Sequence, residues 1–352
     1  MLRKGRGAAS NPDPRYFSEQ REEFDDGWRI ADPEPPPLST TVTVERARSI
    51  ISRNESPDIP FDQSINPYRG CEHGCVYCYA RPTHAYLDLS PGFDFESRLY
   101  SKPNAPELLE KELGRPGYRC RLIALGTNTD PYQPIERNWR ITQRIIEVLA
   151  SCHHPLSIVT KSSLIERDID LLASMAEENL VEVYLSVTTL DRYLARRLEP
   201  RATAPERRLE TLRRLSEAGI PTGLMFAPVI PFLNDDDMEA VLEGGAQAGV
   251  RYAGYVLIRL PHEVKELFKE WLHLHEPLKA GRVMNRIRDM RGGRENDPSF
   301  GPRMRGAGIY AELIRQRFER ACRRLGLNKS AHVLDTSRFT SPLRAGETLN
   351  LF

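Results

Sequence analysis

The sequence predicts an α/β protein built on about six parallel strands, with an N-terminal extension and a basic helical C-terminal extension. Three observations predict it. Short apolar runs alternate with amphipathic helical stretches from Arg121 to Leu274, Pro-rich polar sequence precedes them, and arginine-rich helical sequence follows. Strands that alternate with helices form βαβ units, whose strands run parallel. A chain of 352 residues suits one large α/β domain plus extensions.

Residues 1–38 are expected to be poorly ordered: Asn11-Pro12-Asp13-Pro14 and Pro33-Glu34-Pro35-Pro36-Pro37 bring few aliphatic side chains. Residues 39–61 read as a linker in which Thr41-Val42-Thr43-Val44 forms a short strand. The core is expected over 62–276. Arg121–Leu125 reads as a buried strand ending at Gly126, followed by a helix with Ile141, Ile145, Ile146 and Leu149 at helical spacing. Leu156–Thr160 is the next strand, and Leu164–Glu178 the next helix. Val181–Val187 alternates as a strand does. Pro205–Ala218 is a helix with Pro in its first turn and Gly219 as its stop. Thr222–Ala227 is a strand, and Asp235-Asp236-Asp237 places acidic groups at a helix start, where the dipole favours them. Ala253–Ile258 is the last strand and Glu263–Leu274 its helix. A strand before the cysteine-rich stretch completes the count. A barrel and an open sheet both satisfy this alternation, and both put ligands at the carboxyl ends of the strands. Residues 277–352 form the basic extension, with a helix over Ile309–Leu325 and an irregular tail from Ser337.

No run of about 18 apolar residues occurs, so no membrane-spanning helix is expected. Met1-Leu2-Arg3-Lys4-Gly5 leads into polar sequence rather than an apolar signal core. Six cysteines in 352 residues do not make a disulfide framework, and the expectation is a reducing cytoplasm. Net charge is +1, but from Glu276 onward 16 Lys+Arg face 8 Asp+Glu, a net +8, which leaves −7 for the remainder.

Half of the cysteine lies in Gly70-Cys71-Glu72-His73-Gly74-Cys75-Val76-Tyr77-Cys78-Tyr79. Three thiolates on one short loop converge on one soft metal centre. A structural zinc site takes four ligands, with His73 or His84 as the candidates here. An iron–sulfur cluster with one open iron takes three. Gly70 and Gly74 let the backbone approach a bulky cluster closely, and Tyr77 and Tyr79 offer rings on which a flat ligand stacks.

Cys71-x3-Cys75-x2-Cys78 with Tyr77 before the last cysteine resembles the signature of the radical SAM superfamily. The wider string Asn66-Pro67-Tyr68-Arg69-Gly70-Cys71 through Cys78-Tyr79-Ala80-Arg81 resembles the spore photoproduct lyase-related branch of uncharacterised proteins. The resemblance implies a partial (β/α)6 barrel and a [4Fe-4S] cluster on Cys71, Cys75 and Cys78. It also implies S-adenosylmethionine chelated to the fourth iron, and reductive cleavage to a 5′-deoxyadenosyl radical that abstracts hydrogen from a substrate. An electron donor such as a flavodoxin or ferredoxin is implied with it. By strand end, Thr129 and Asp130 are candidates for the amino end of the cofactor, in place of the family's glycine-rich segment. Asp130 as a loop-stabilising residue is the other reading. Lys161 is the candidate for the cofactor carboxylate, Ser186 and Thr188 for the ribose, Pro228-Val229-Ile230-Pro231 for an apolar wall beside adenine, and Tyr77 for an adenine contact.

Lyase-like members carry a cysteine near the end of the second strand to return a hydrogen atom. This chain has Thr127-Asn128-Thr129 there. Cys120, Cys152 and Cys322 read as inert thiols. The C-terminal arginines read either as a solvated or ion-paired face, or as a grip on DNA or RNA phosphates. The expected function is a radical SAM enzyme of unknown substrate, with nucleic acid as the candidate class. An iron–sulfur electron-transfer protein is the alternative, although a ferredoxin-type site needs a fourth nearby cysteine.

Overall fold

A computed structural model describes residues 5–16 and 38–342. Ten strands occur among them: β1 (Thr41–Val44), β2 (Ile51–Arg53), β3 (Gln63–Ile65), β4 (Tyr68–Arg69), β5 (Arg98–Ser101), β6 (Ile123–Leu125), β7 (Leu156–Thr160), β8 (Val181–Ser186), β9 (Thr222–Val229) and β10 (Tyr252–Leu257). The main sheet has the order β10-β9-β8-β7-β6-β3-β2. All neighbours from β3 to β10 pair parallel, and β2 pairs antiparallel with β3.

That order repeats the chain order, so every crossover steps the same way. A doubly wound sheet would reverse once and create a switch point. One-directional winding is the barrel pattern. β10 and β3 do not pair, so the barrel stays open on one side, a partial (β/α)6 barrel. A smaller sheet, β1-β5-β4, stands beside it and carries the entry to the cysteine loop.

The main sheet sets an apolar face, on which Leu125, Ile158, Val183, Leu185 and Leu224 stand in register, against a face that carries Ser157, Glu182 and Tyr184. Leu125, Ile158, Leu185, Leu224 and Leu257 are all fully buried. The Ile141–Ser151 helix buries Ile141, Ile145, Ile146 and Leu149, and the Pro205–Glu217 helix buries Leu212 and Leu215. The stretch expected as one helix from Leu164 opens as a 3-10 turn, Ser163–Asp168, and becomes α-helical only over Ile169–Glu177. The Ser162 side chain caps this turn by accepting from Leu164 N–H.

Two expectations differ from the fold. Residues 5–16 do not behave as a poorly ordered segment: the backbone N–H groups of Arg6, Gly7 and Ala8 all donate to the Glu96 carboxylate. A buried carboxylate ties down a segment whose one core residue is Ala8, packed with Phe93 and Leu267. Residues 1–4, 17–37 and 343–352 lie outside the described residues, so most of the expected disorder and the end of the tail are not described. The boundary at 276 also coincides with no gap in packing. The Pro277–Asp289 helix sends Val283, Met284 and Ile287 into a cluster that contains Cys75, Val76 and Tyr77 as well as Trp271. Among the described residues, no helix is long and apolar enough to cross a membrane.

Candidate active site

The cysteine loop leaves β4 as a chain of tight turns. Cys71 N–H donates to Phe95 O at 3.0 Å, Gly74 N–H to Cys71 O at 3.3 Å, Cys78 N–H to Cys75 O at 3.2 Å and Arg81 N–H to Cys78 O at 3.2 Å. Gly70 and Gly74 take φ of +73° and +68°, which only glycine adopts cheaply. A Cβ on Gly70 would meet Leu99 Cδ2 at 2.6 Å and Phe95 O at 2.8 Å, and one on Gly74 would meet Arg6 Cβ at 2.9 Å. These glycines therefore serve the loop's own turns and its packing on protein, rather than the approach to a cluster.

Arg81, fully buried, holds the loop from within. Its guanidinium donates to Cys75 O (2.8 Å), Gly74 O (3.1 Å), Pro91 O (2.9 Å), Gly92 O (3.0 Å) and the Glu96 carboxylate (2.5 Å). Breaking such a buried, fully bonded pair costs about 3–5 kcal/mol. Glu96 also receives the three N–H groups of the N-terminal segment, so one carboxylate fastens two stretches of chain around the cysteines.

Cys71 and Cys75 are buried and Cys78 is partly exposed; all three are free thiols. Burial, then Asp130, then Cys75 and Cys78 push the Cys71 thiol well up. Burial and then Glu199 push Cys75 up to about 12. The thiols thus oppose one another's ionisation, and a cationic iron centre is what stabilises thiolates in such a place. No three His, Cys, Asp or Glu side chains among the described residues are grouped to hold a single metal ion. Of the two zinc candidates, His73 Nδ1 faces Asp130 Oδ2 at 3.4 Å and His84 Nε2 contacts Arg98 O at 3.0 Å, while His84 Nδ1 is buried without a hydrogen-bond partner among the described residues. Three cysteine thiols on one loop are a donor set that would hold a cluster by one thiolate on each of three irons, leaving a fourth open.

The strand ends supply the rest. Asp130 Oδ1 accepts from Thr160 Oγ1 (2.7 Å) and Tyr132 N–H (2.9 Å), and Oδ2 from Lys161 N–H (2.8 Å). Burial alone would raise its pKa, but the nearby His73 and these hydrogen bonds bring it down to about 2. Asp130 thus ties the ends of β6 and β7 to the cysteine loop. Thr129 turns inward, its hydroxyl on Tyr68 O at 3.2 Å. Lys161 Nζ donates to Ser186 Oγ at 3.1 Å, and Ser186 Oγ to Ala227 O at 3.0 Å, across β7, β8 and β9. The Lys161 charge also reaches Cys75, whose thiolate it favours.

Two residues absent from the sequence reading organise this end. Glu199, buried, accepts from Tyr77 OH, from Thr188 Oγ1 at 2.5 Å and from Arg208. Arg208, also buried, donates further to Ser186 O at 2.8 Å and Thr203 O at 2.6 Å. Burial opposes the Glu199 charge, yet Arg208 and then Lys161 hold its pKa down at about 2. The pair fixes the Tyr77 ring, the β8 end and Ser186 relative to Cys75. Asn234 similarly pins the Pro228–Ile230 turn, donating to Pro228 O and Thr188 O and accepting from Ile230 N–H. Periodicity did carry a signal for Arg208: it falls on the stripe of Pro205, Leu212 and Leu215. Glu199 follows a short helix, Arg192–Leu198, in a charged run, and nothing in its spacing marks it.

Comparisons with known proteins bear on the family and the fold. The profile of the Radical SAM superfamily matches residues 65–243. An uncharacterised protein of Mycobacterium tuberculosis is 37% identical over 262 residues, covering 74% of this chain and 73% of that one. Among solved structures, a spore photoproduct lyase complexed with dinucleoside spore photoproduct superposes with a TM-score of 0.57 at 14% identity, covering 81% of this chain and 80% of that one. A mutant of such a lyase with bound AdoMet and dinucleoside spore photoproduct gives 0.53 at 14% identity and the same coverage. At these identities the structural likeness speaks for the fold. With the profile spanning just over half of the 352 residues and a relative this similar across most of the chain, the protein belongs to the radical SAM superfamily, as an enzyme whose cofactors are a [4Fe-4S] cluster and S-adenosylmethionine.

Proposed function

We propose that Cys71, Cys75 and Cys78 hold the cluster through three irons and that the protein acts by hydrogen-atom abstraction on a nucleic acid substrate. When bound, the cluster and S-adenosylmethionine supply a 5′-deoxyadenosyl radical. The protein's own residues bind, orient and enclose. Lys161, whose only Nζ hydrogen bond among the described residues is to Ser186 Oγ, presents an ammonium to the cofactor carboxylate. Ser186 and Thr188 present hydroxyls from the β8 end to the ribose. Thr129 and Asp130 shape the wall beside the cofactor's amino group, with Asp130 acting through the Lys161 and Thr160 it positions. Tyr77, held by Glu199, borders adenine. A small redox protein such as a flavodoxin or ferredoxin delivers the electron.

The observation that carries this reading is the meeting of Lys161 and Ser186 at adjacent strand ends, close enough to Cys75 for the lysine to favour its thiolate. Nucleic acid as the substrate class is supported by the fold likeness to a lyase complexed with a dinucleoside lesion and by the basic C-terminal part. The test is anaerobic: reconstituted, dithionite-reduced protein with S-adenosylmethionine, read by 5′-deoxyadenosine formation. Wild type forms it, and Cys71→Ala loses both the cluster absorbance and the product. Product at the wild-type rate from Cys71→Ala overturns the ligand assignment. A wild-type cluster that forms and yields no product favours the electron carrier instead.

A further inference from the structure

The open side of the barrel carries an arginine that makes no ion pair among the described residues. β10 and β3 do not pair, and side chains bridge the gap. Arg259, just beyond the carboxyl end of β10, lies over the Tyr79 ring at 5.2 Å. Tyr79 follows Cys78, and its hydroxyl donates to Thr127 O beyond the end of β6. Asp58, between β2 and β3, accepts from Arg303 Nε at 2.7 Å and Gly301 N–H at 2.9 Å. Arg259 thus faces the carboxyl ends of the strands, one residue's ring away from the cysteine loop.

Its partners are few. Among the described residues, Nη1 reaches only Met304 Sδ at 3.8 Å, and Nε is buried with no hydrogen-bond partner. No carboxylate among the described residues is in ion-pair contact with it. Elsewhere arginines meet carboxylates directly: Arg81 meets Glu96, Arg208 meets Glu199 and Arg303 meets Asp58. Arg259 feels Asp58 without an ion-pair contact, and Arg303 and Arg291 stand near it as further cations. Arg291, 3% exposed, donates through its terminal groups to the carbonyls of Ile258 and Pro302, while its Nε, like that of Arg259, has no hydrogen-bond partner among the described residues. Burial and then Arg259 bring the Arg291 pKa down to about 10, and burial and Arg303 lower that of Arg259. Buried donors without acceptors are uncommon in native proteins and call for a reason. A guanidinium fork with spare N–H groups, backed by a second arginine, suits a tetrahedral oxyanion.

We propose that Arg259 is the substrate's phosphate-binding residue, holding a phosphate at the open side of the barrel beside Tyr79. The proposal rests on the reading of this end of the barrel as the radical site. The phosphate belongs either to a free nucleotide or to a nucleic acid strand. Arg259 binds it through Nε and the terminal N–H groups, with Arg291 fixing the β10 end and supplying charge behind it.

The test uses reconstituted holoprotein and two probes, thymidine 5′-monophosphate by calorimetry and fluorescein-labelled decathymidylate by anisotropy. Wild type is expected to bind at least one. Arg259→Gln is expected to weaken that binding at least ten-fold, with Arg259→Lys intermediate because it keeps charge and loses the fork. Arg213→Gln, altering an exposed arginine paired with Glu210 and Glu217, is expected to leave binding unchanged. Far tighter binding of decathymidylate assigns the phosphate to a strand, and equal binding of the mononucleotide to a free nucleotide. Cluster absorbance and thermal melting establish that each variant is folded. If Arg259→Gln does not fold, Arg259→Lys alone decides, by a drop of at least three-fold. Wild-type affinity in the folded variants, or no binding of either probe to wild type, overturns the subsite. Protein that forms 5′-deoxyadenosine and binds neither probe loses this subsite and keeps its radical chemistry. Protein that binds through Arg259 and forms no 5′-deoxyadenosine keeps the subsite and loses the radical reading.

Discussion

Glu199 concentrates the electrostatics of the site in one carboxylate. Its pKa falls from 4.5 to about 2 because Arg208 and Lys161 outweigh burial. A folded-state pKa below the unfolded value gives stability that is present above about pH 4.5 and lost as pH falls toward 2. The shift corresponds to about 3 kcal/mol. Urea unfolding of cluster-free wild type should therefore weaken steeply across that window, and Glu199→Gln should flatten the decline. At pH 7 Glu199→Gln should destabilise by about 3–5 kcal/mol, because Arg208 remains buried without its counter-charge. Equal urea midpoints for the two proteins at pH 7 would contradict the assigned role. At this scale local spacing and strand-end position single out the cysteines and Lys161, and Lys161 stands directly after β7. The Glu199–Arg208 pair was not legible, since its members meet Tyr77 and Ser186 only after the barrel has wound. Asp130 was placed at the right strand end, yet its carboxylate is spent on Thr160, Lys161 and Tyr132.

The N-terminal segment shows how an element escapes pattern reading. Its prolines and lack of aliphatics signalled disorder, but backbone N–H groups hold it, and these carry no sequence signature. The partner, Glu96, lies 88–90 residues away. Gly7 passes so close to the cysteine loop that a Cβ there would lie 1.8 Å from Gly74 O. Gly7→Ala must therefore push the segment off the loop, at a cost of about 1–3 kcal/mol. The expected outcome is faster loss of the cluster's visible absorbance in air, while far-ultraviolet circular dichroism stays unchanged. A cluster lifetime equal to wild type would show that the segment does not guard the loop. Glu96→Gln, which weakens both Arg81 and the segment, should shorten that lifetime further.

For the whole molecule, alternation of short apolar strands with amphipathic helices was enough to predict six parallel strands. The observed order β3-β6-β7-β8-β9-β10 matches it. The open side was not legible from alternation, because strand pairing across a closure depends on tilt and register rather than on any single segment. The charge asymmetry resolves in part into ion pairs: Arg288, Arg303, Arg315 and Arg317 hold Glu295, Asp58, Glu312 and Glu239. Arg282 instead sits 3.8 Å above the Phe232 ring. If arginines of this face grip a strand, log affinity for decathymidylate should fall linearly with log salt, by roughly 0.7 per phosphate contacted. A flat response would leave the arginines as surface ion pairs alone.

The cysteine loop also has a place in time. Its turns, the β4–β5 pairing and the Arg81–Glu96 contact all lie within residues 68–101. Short closures cost least entropy and form first. On a growing chain this stretch takes shape while β7 to β10 and Glu199 have yet to emerge. The later strands and Glu199 then close over a loop whose own turns are already made.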